Sequence, residues 1–355
     1  MDISTVWNAV WPILIAIVVF CLIITIHEFG HFIFAKLFKV RVNEFAVGFG
    51  PAIFKKKHGE TLYALRILPI GGYCAMEGED EQSDDERAFC KAPVYKRFLI
   101  VIAGAVFNII LGFLIMVIIV ASQPRLATTT IGEFSKEAVS NSCETPLKVD
   151  DKIVKINGRN VYIWDDVCYL LGNDSDGIVN MVVERNGERV TLQKVKFKLE
   201  EYEGRNVITY DFYVYGQENG FFTAIKQSFL GTVSMGRLVI MSLVDLCTGK
   251  YGINDLSGPV GVTKVVSGAV STIATNGVNG MRYLLRVLCL ITVNLGIFNL
   301  LPIPALDGSR ALFLVVEGIR RKPVKHEAVV HAIGMFLLLA LMAVLVVKDL
   351  YQWIA

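Results

Sequence analysis

Charged residues are scarce in this chain, and that scarcity excludes several classes of protein. Only 19% of the residues are Asp, Glu, Lys or Arg, the formal net charge is +2, and 54% are hydrophobic. Because a basic excess is lacking, we expect no nucleic-acid partner. The seven cysteines show no C-x-x-C spacing and predict no obligatory disulfide framework. The composition instead indicates a membrane protein, in contact with the lipid bilayer.

Long apolar runs predict about four transmembrane helices. They extend roughly over residues 6–38, 97–122, 283–302 and 329–347. The first run lacks a basic n-region and a small-residue cleavage site, so we expect it to remain in the mature protein. Residues 221–247 are apolar as well. Their charges, Lys226, Arg237 and Asp245, favour a helix lying on the membrane interface over a fifth span.

Two of the five histidines lie in one motif, His27-Glu28-Phe29-Gly30-His31, inside the first apolar run. On a helix, His27 and His31 project from one face about one turn apart and can share a zinc ion, with Glu28 beside them to transfer protons. On a soluble helix the same pattern is more often a set of solvated side chains. Two imidazoles and a carboxylate within a membrane are costly unless they serve a function. The motif therefore predicts a zinc peptidase site.

A third zinc ligand is expected far along the chain. The segment Asn299-Leu-Leu-Pro302-Ile-Pro304-Ala-Leu-Asp307-Gly308 places a lone carboxylate where two prolines break an apolar helix. Two histidines and one carboxylate leave the fourth zinc position open for water. The alternative is that Asp307 caps the next helix. Its combination with the histidine motif favours the role of ligand.

These motifs resemble those of the site-2 protease family, and within it the bacterial RseP/RasP-type regulators of intramembrane proteolysis. The family order also includes the segments Pro69-Ile70-Gly71-Gly72-Tyr73 and Ser257-Gly258-Pro259-Val260-Gly261, with a PDZ-like insertion between them. Two departures occur: Leu306-Asp307-Gly308-Ser309 replaces the usual Leu-Asp-Gly-Gly, and Val149-Asp150-Asp151 replaces a common Gly-Asp. Neither removes a presumed ligand.

The resemblance implies an α-helical polytopic membrane protein with a membrane-associated β-hairpin and an inserted PDZ-like, β-rich domain. We expect a membrane core at residues 1–122, the PDZ-like domain at 123–216, an interfacial region at 217–282 and a second membrane core at 283–355. Within the insertion, residues 147–161 resemble a PDZ turn and hairpin, 164–171 its helix, and 178–184 with 190–197 its later strands. The domain could bind peptides beside residues 128–134. We favour a screen against large ectodomains, because no residue specifies a C-terminal carboxylate site.

Between the first two spans, residues 43–54 and 61–67 predict two strands, and residues 77–86 a solvated acidic loop. Four glycines there would let another backbone approach closely: Gly48, Gly50, Gly71 and Gly72. We expect an edge strand that captures an extended substrate through main-chain hydrogen bonds, as in the family. An ordinary hairpin packed on the helices is the alternative.

The implied activity is hydrolysis of a peptide bond within or near the transmembrane segment of a single-pass substrate. The substrate class is an anti-sigma-factor-like regulator or a signal-peptide remnant, first cut by a site-1-type protease. Glu28 would take the proton of the attacking water and pass it to the leaving amine. Asn299 is the candidate for holding the unwound substrate backbone; otherwise it caps the chain before Pro302. A catalytically inactive relative and a metal transporter are the rival classes.

The positions of Lys and Arg predict the orientation of the chain. The loop before residue 97 and the loop after Asp307 are rich in both, so we expect both loops in the cytoplasm. Residues 1–5 carry neither, so the termini and the insertion are expected outside. Because the ligands must meet on one side, the chain must cross an even number of times between residues 122 and 283. The zinc site is thus expected toward the cytoplasm.

Overall fold

The structure is a computed structural model that describes residues 3–79, 81–202, 205–249, 256, 258–322, 324 and 326–354. Two compact units are formed, one by Met1–Ile115 with Leu238–Ala355 and the other by Met116–Arg237. In the described ranges the helices are α1 (Ile3–Leu37), α2 (Val94–Ala121), α3 (Trp164–Gly172), α4 (Phe221–Cys247), α5 (Pro259–Leu300), α6 (Asp307–Arg320) and α7 (Glu327–Ile354). A short 3₁₀ helix, Phe89–Lys91, precedes α2.

Five helices among the described residues are long and apolar enough to cross a membrane. They are Trp11–Leu37, Val94–Ala121, Phe221–Cys247, Thr275–Leu300 and Glu327–Gln352. Four of them overlie the four predicted spans, and the fifth is α4. Length and composition therefore define a polytopic membrane protein, and they allow α4 either to span the bilayer or to lie on its surface.

Helix α5 contains a reversal that the sequence analysis did not predict. Gly277 interrupts the helix with φ 51° and ψ −120°, in a region that a side chain would disfavour. Beyond the reversal, Gly280 is so close to the first arm that a Cβ would stand 2.2 Å from the Thr272 carbonyl oxygen. Val266 of the first arm packs in one cluster with Leu284 of the second. The chain therefore folds back on itself before it reaches residue 300.

The predicted hairpin is present, with longer strands than expected: β1 (Val42–His58) pairs antiparallel with β2 (Thr61–Met76). Residues 44–47 pair with 62–65 on one side and with 72–75 on the other. Gly48 and Gly71 make the bends that this double pairing requires, with φ 84° and φ 93°. The hairpin thus becomes four adjacent segments, and residues 72–76 form one edge.

The acidic segment after β2 is a loop, as predicted, but it is not freely solvated. Arg41 pairs with Asp85 at 2.8 Å, and Asn43 donates to Glu77 at 2.7 Å. The bond from Arg41 holds the pKa of Asp85 below its usual range. The loop is therefore fastened to the start of the hairpin. Asp80 within it lies outside the described residues.

The unit Met116–Arg237 is built on an antiparallel sheet. Its described strands are β3 (Arg125–Phe134), β4 (Lys152–Ile156), β5 (Arg159–Asn160), β6 (Ile178–Arg185), β7 (Glu188–Lys196), β8 (Lys198–Tyr202), β9 (Arg205–Thr209) and β10 (Phe212–Glu218). The main sheet runs β10-β3-β4-β6-β7, with β5 paired to β4, while β8 and β9 pair separately. The predicted strands at 178–184 and 190–197 and the helix at 164–171 are confirmed. Buried side chains of the sheet and of α3, including Ile131, Val167 and Met181, form the core of this unit.

The departure from the family pattern at Val149-Asp150-Asp151 has a local explanation. Asp151 is fully buried and accepts two hydrogen bonds of 2.7 Å from Arg185, so the aspartate ties β6 to the loop before β4. In the family-like segment Ser257-Gly258-Pro259-Val260-Gly261, Ser257 lies outside the described residues. Gly258 is the N-cap of α5, and Asp349 of α7 accepts a hydrogen bond of 2.7 Å from the Gly261 amide. A carboxylate there satisfies an amide that a helix start leaves unpaired.

Candidate active site

Three predicted site residues converge at one point in the unit that contains α1. His27 and His31 are buried on one face of α1, and their Nε2 atoms lie 3.2 Å apart. Asp307 Oδ2 lies 3.0 Å from Nε2 of His27 and 3.3 Å from Nε2 of His31. The two motifs, remote in sequence, are therefore adjacent in the fold, and the three candidate ligand atoms lie within 4.8 Å of one another.

Asp307 reaches the histidines because of the irregular segment between α5 and α6. α5 ends at Leu300, and Asp307 is the first residue of α6. The N-cap position belongs to Leu306, and no side chain makes a capping hydrogen bond there. The carboxylate of Asp307 is therefore not the helix cap. It is directed toward the imidazoles of α1 instead.

The donor set fits a metal ion. Nδ1 of His31 lies 2.8 Å from the carbonyl oxygen of Ile100. A carbonyl only accepts, so this nitrogen carries the ring proton and Nε2 of the neutral imidazole presents a lone pair. That lone pair faces Nε2 of His27 and the Asp307 carboxylate, and such electron-rich atoms repel unless a cation lies among them. Two imidazoles and one carboxylate are a ligand set used for catalytic zinc.

Asn108 of α2 is a site residue that the sequence analysis missed. It is fully buried, and its amide lies 3.2 Å from Nδ1 of His27. If Nε2 of His27 binds a metal ion, Nδ1 carries the proton and needs an acceptor. The Oδ1 atom of Asn108 is buried with no partner among the described residues, so turning the amide toward Nδ1 satisfies both groups. The sequence did contain a signal for this residue, because Asn108 is a polar side chain inside a predicted transmembrane helix.

Gly104 of α2 was also missed, and it limits the space beside the histidines. A Cβ at this position would stand 2.4 Å from Nε2 of His31 and 2.8 Å from Cε1 of His27. On the facing helix, a Cβ on Gly30 would stand 2.6 Å from the carbonyl oxygen of Ala103. The two helices therefore approach closely through glycines, and the imidazoles fill the remaining space.

Glu28 lies between the histidines and the hairpin edge. A Cβ built on Gly72 would stand 3.6 Å from Cγ of Glu28, so the predicted edge strand passes directly beside the predicted base. Burial, with a smaller contribution from Glu28, raises the pKa of the Cys74 thiol well above its usual range. This cysteine therefore stays a neutral thiol.

The other predicted substrate-binding residues lie in the bends of the hairpin and in the last turn of α5. Gly48, Gly50 and Gly71 form the bends of the hairpin, each with a positive φ. Asn299 lies in the last turn of α5 and is half-buried. Its side chain makes no hydrogen bond to any residue that the structure describes, so it does not cap the chain before Pro302.

Ion pairs hold α6, the helix that begins with Asp307. Arg97 of α2 binds Glu317 through two hydrogen bonds, of 2.6 Å and 3.1 Å. Arg310 of α6 pairs with Glu79 in the loop after β2. The helix is thereby fastened both to α2 and to the hairpin loop.

The arrangement is typical of the membrane-embedded metalloproteases: it combines two imidazoles one helical turn apart, a neighbouring glutamate and a remote aspartate, all among apolar helices. Comparison with known proteins supports this class. The family model of peptidase family M50 matches residues 15–341. A relative from Clostridium acetobutylicum, assigned as a zinc metalloprotease, is 37% identical over 345 residues, which cover 95% of this chain and 96% of that protein.

Two further relatives are named RasP. The zinc metalloprotease RasP of Geobacillus kaustophilus is 28% identical over 419 residues, covering 95% of this chain and 97% of that protein. The regulator of sigma-W protease RasP of Bacillus subtilis is 26% identical over 425 residues, with the same coverage. The chain therefore belongs to peptidase family M50, the site-2 protease family, and it is a zinc metalloprotease.

Proposed function

We propose that this zinc metalloprotease cuts peptide bonds within or next to the transmembrane segments of single-pass proteins, after another protease has removed most of the ectodomain. The observation that carries the proposal is the convergence of His27, His31 and Asp307 beside Glu28 among apolar helices. The Bacillus subtilis relative is named a regulator of sigma-W protease, so an anti-sigma-factor-like regulator is one substrate class that we propose. A signal-peptide remnant is the other.

In this proposal His27, His31 and Asp307 are the protein ligands of the zinc ion. When bound, zinc makes water nucleophilic near neutral pH and polarises the scissile carbonyl. Glu28 takes the proton of the attacking water and delivers it to the nitrogen of the leaving amine. Ile100 and Asn108 hold the two imidazoles in the tautomer that leaves Nε2 free, through His31 Nδ1 and His27 Nδ1 respectively.

The substrate must present an extended backbone, because a helical peptide bond is enclosed by its own hydrogen-bond ladder. Residues 72–76 form an edge of the hairpin sheet and lie beside Glu28. We propose that an unwound substrate segment pairs with this edge, since exposed strand edges bind extended peptides through main-chain hydrogen bonds. Gly72 leaves room for a close approach, and the side-chain amide of Asn299, which bonds to no described residue, is available to hold the same segment.

We further propose four membrane spans, with α4 on the membrane surface. The exposed side of α4 is apolar, as at Phe222, Phe229 and Val233, while Ser228 and Ser234 are buried. Arg237 of α4 lies 3.1 Å from the fully buried Asp166 of α3. A helix with its polar side on a folded domain and its apolar side exposed suits the bilayer interface.

The orientation follows from the charged loops. We propose that the zinc site lies toward the cytoplasm and that both termini and the PDZ-like domain lie outside, with domain limits near residues 122, 216 and 282. Residues 1, 2 and 325, which entered the charge argument, lie outside the described residues. We propose that the PDZ-like domain excludes large ectodomains rather than recruiting substrates.

The test is cleavage of a model transmembrane substrate by the purified full-length protein in detergent or vesicles. We expect a single cut within or near the apolar segment, loss of cleavage with a chelator, and recovery with added zinc. Asp307→Ala should lose both zinc and activity, because a ligand is removed. Binding of the substrate without any cut in the zinc-loaded protein would contradict the proposed activity.

A further inference from the structure

We infer that α7 is a positioning element for the zinc site, acting through His331 and Gly334 on the segment that presents Asp307. The inference rests on the proposed role of Asp307 as a zinc ligand. α7 itself contributes no ligand atom to the three-residue cluster. Two of its residues contact Pro304 and Ala305, in the segment that leads to the aspartate.

The segment before Asp307 has an unfavourable backbone conformation. Ala305 has φ 79°, in the left-handed region where the Cβ of an L-residue is crowded. Such conformations persist when the surroundings enforce them. Pro302 and Pro304 have no N–H, while the amides of Ile303 and Leu306 bond within the segment, to Leu301 and Ile303. The amide of Ala305 instead reaches another helix.

That amide donates to Nδ1 of His331 in α7, over 3.3 Å. The same ring packs against Phe313 of α6, with centroids 5.8 Å apart. His331 thus contacts the chain on both sides of Asp307. It is half-buried, and its imidazole accepts the one hydrogen bond that defines the direction of the Ala305 peptide.

Gly334 lies one turn further along α7 and allows the backbone of this helix to approach Pro304 closely. A Cβ at this position would stand 2.2 Å from Cβ of Pro304 and 2.7 Å from its carbonyl carbon. The backbone of α7 therefore lies directly on Pro304, and no larger residue fits without displacement. Together the two contacts hold the left-handed turn from outside the zinc site.

The consequence is a coupling between α7 and zinc affinity. Without the acceptor at position 331, Ala305 can relax to a right-handed conformation, and the relaxation rotates the chain that leads to Asp307. The carboxylate then no longer meets Nε2 of His27 and His31 together. Supporting groups around metal ligands typically change metal affinity by about 10- to 100-fold when they are removed.

The test measures the zinc dissociation constant of the purified full-length protein by competition with a chromophoric chelator. We expect His331→Leu to weaken zinc binding by about 10-fold or more, and His331→Asn, which retains an acceptor near the Nδ1 position, to weaken it less. Adding Ala305→Gly to His331→Leu should restore most of the affinity, because glycine adopts φ 79° without strain. Ala332→Leu, at an exposed neighbouring position, is the control.

A second pair of variants keeps the test decisive if His331→Leu does not fold. Gly334→Ala should weaken zinc binding, whereas Gly268→Ala in α5, where no atom lies within 4 Å of the added carbon, should not. Wild-type zinc affinity in His331→Leu or in Gly334→Ala would overturn the inference if Asp307→Ala loses zinc. Wild-type affinity in Asp307→Ala would overturn both the inference and the proposed ligand set. Equal losses with and without Ala305→Gly would assign His331 a general structural role and also overturn it.

Discussion

Gly104 of α2 lies so close to His31 of α1 that a Cβ added to the glycine would stand 2.4 Å from Nε2 of the histidine. The proposed metal site would therefore depend on helix packing as well as on its ligands. His31 is bonded to Ile100 on one side and enclosed by Gly104 on the other. Its imidazole therefore has little freedom to rotate.

Gly104→Ala tests the importance of this contact. The added methyl group should displace one or both imidazoles and weaken zinc binding by about 10-fold or more, as expected when a ligand loses its orientation. Cleavage should fall in parallel. Leu114→Ala, at an exposed position of the same helix, should leave both properties unchanged. Zinc affinity unaffected by Gly104→Ala would mean that the histidines can shift without cost.

Asn108→Leu removes the proposed acceptor for Nδ1 of His27. We expect the zinc dissociation constant to rise by about 10- to 100-fold. Asn108→Asp keeps an oxygen at the same position and should retain more zinc than the leucine variant, since carboxylates also orient metal-bound histidines. Equal affinities in the two variants would indicate that Asn108 contributes only volume. Chelator competition measures all three proteins.

Glu28→Gln separates proton transfer from metal binding. The amide keeps the size of the side chain but cannot accept a proton, so cleavage should disappear while zinc content stays at the wild-type level. Metal analysis and substrate cleavage on the same preparation provide the measurement. Turnover at the wild-type rate in this variant would refute the role of Glu28 as the base.

Single cysteines report the orientation of the loops. In a variant without the seven native cysteines, Asp174→Cys in the insertion should react with an impermeant thiol reagent in intact cells. Lys56→Cys in the hairpin should react only after permeabilisation, because positively charged loops stay in the cytoplasm. The opposite labelling pattern would overturn the proposed topology.

Deletion of residues 125–215 tests the proposed screening role. The zinc cluster belongs to the other compact unit, so a short linker in place of the domain should leave zinc binding and cleavage of a trimmed substrate intact. The variant should also cut a substrate that still carries its folded ectodomain, whereas the full-length protein should not cut that substrate. If the domain recruits substrates instead, cleavage of both should fall. The two substrates are compared side by side with zinc content verified.

Much of this protein could be predicted from local rules of chain geometry. The four-residue spacing of His27 and His31 places both on one helix face whatever surrounds them. Apolar runs of membrane length predict helices, and the strand-like segments at residues 43–54 and 61–67 predict the hairpin. Each of these features depends on residues that are close together in the chain.

Only the tertiary structure decided which distant groups support the site. Asn108, Gly104 and His331 belong to no motif, and their proposed roles arise because α2 and α7 pack against α1 and the segment before Asp307. The reversal at Gly277 and the double pairing of β1 likewise depend on partners remote in sequence. Local periodicity determines the direction of a side chain from its own helix, but the group that it meets depends on how separate helices pack, and one sequence pattern is compatible with many such packings.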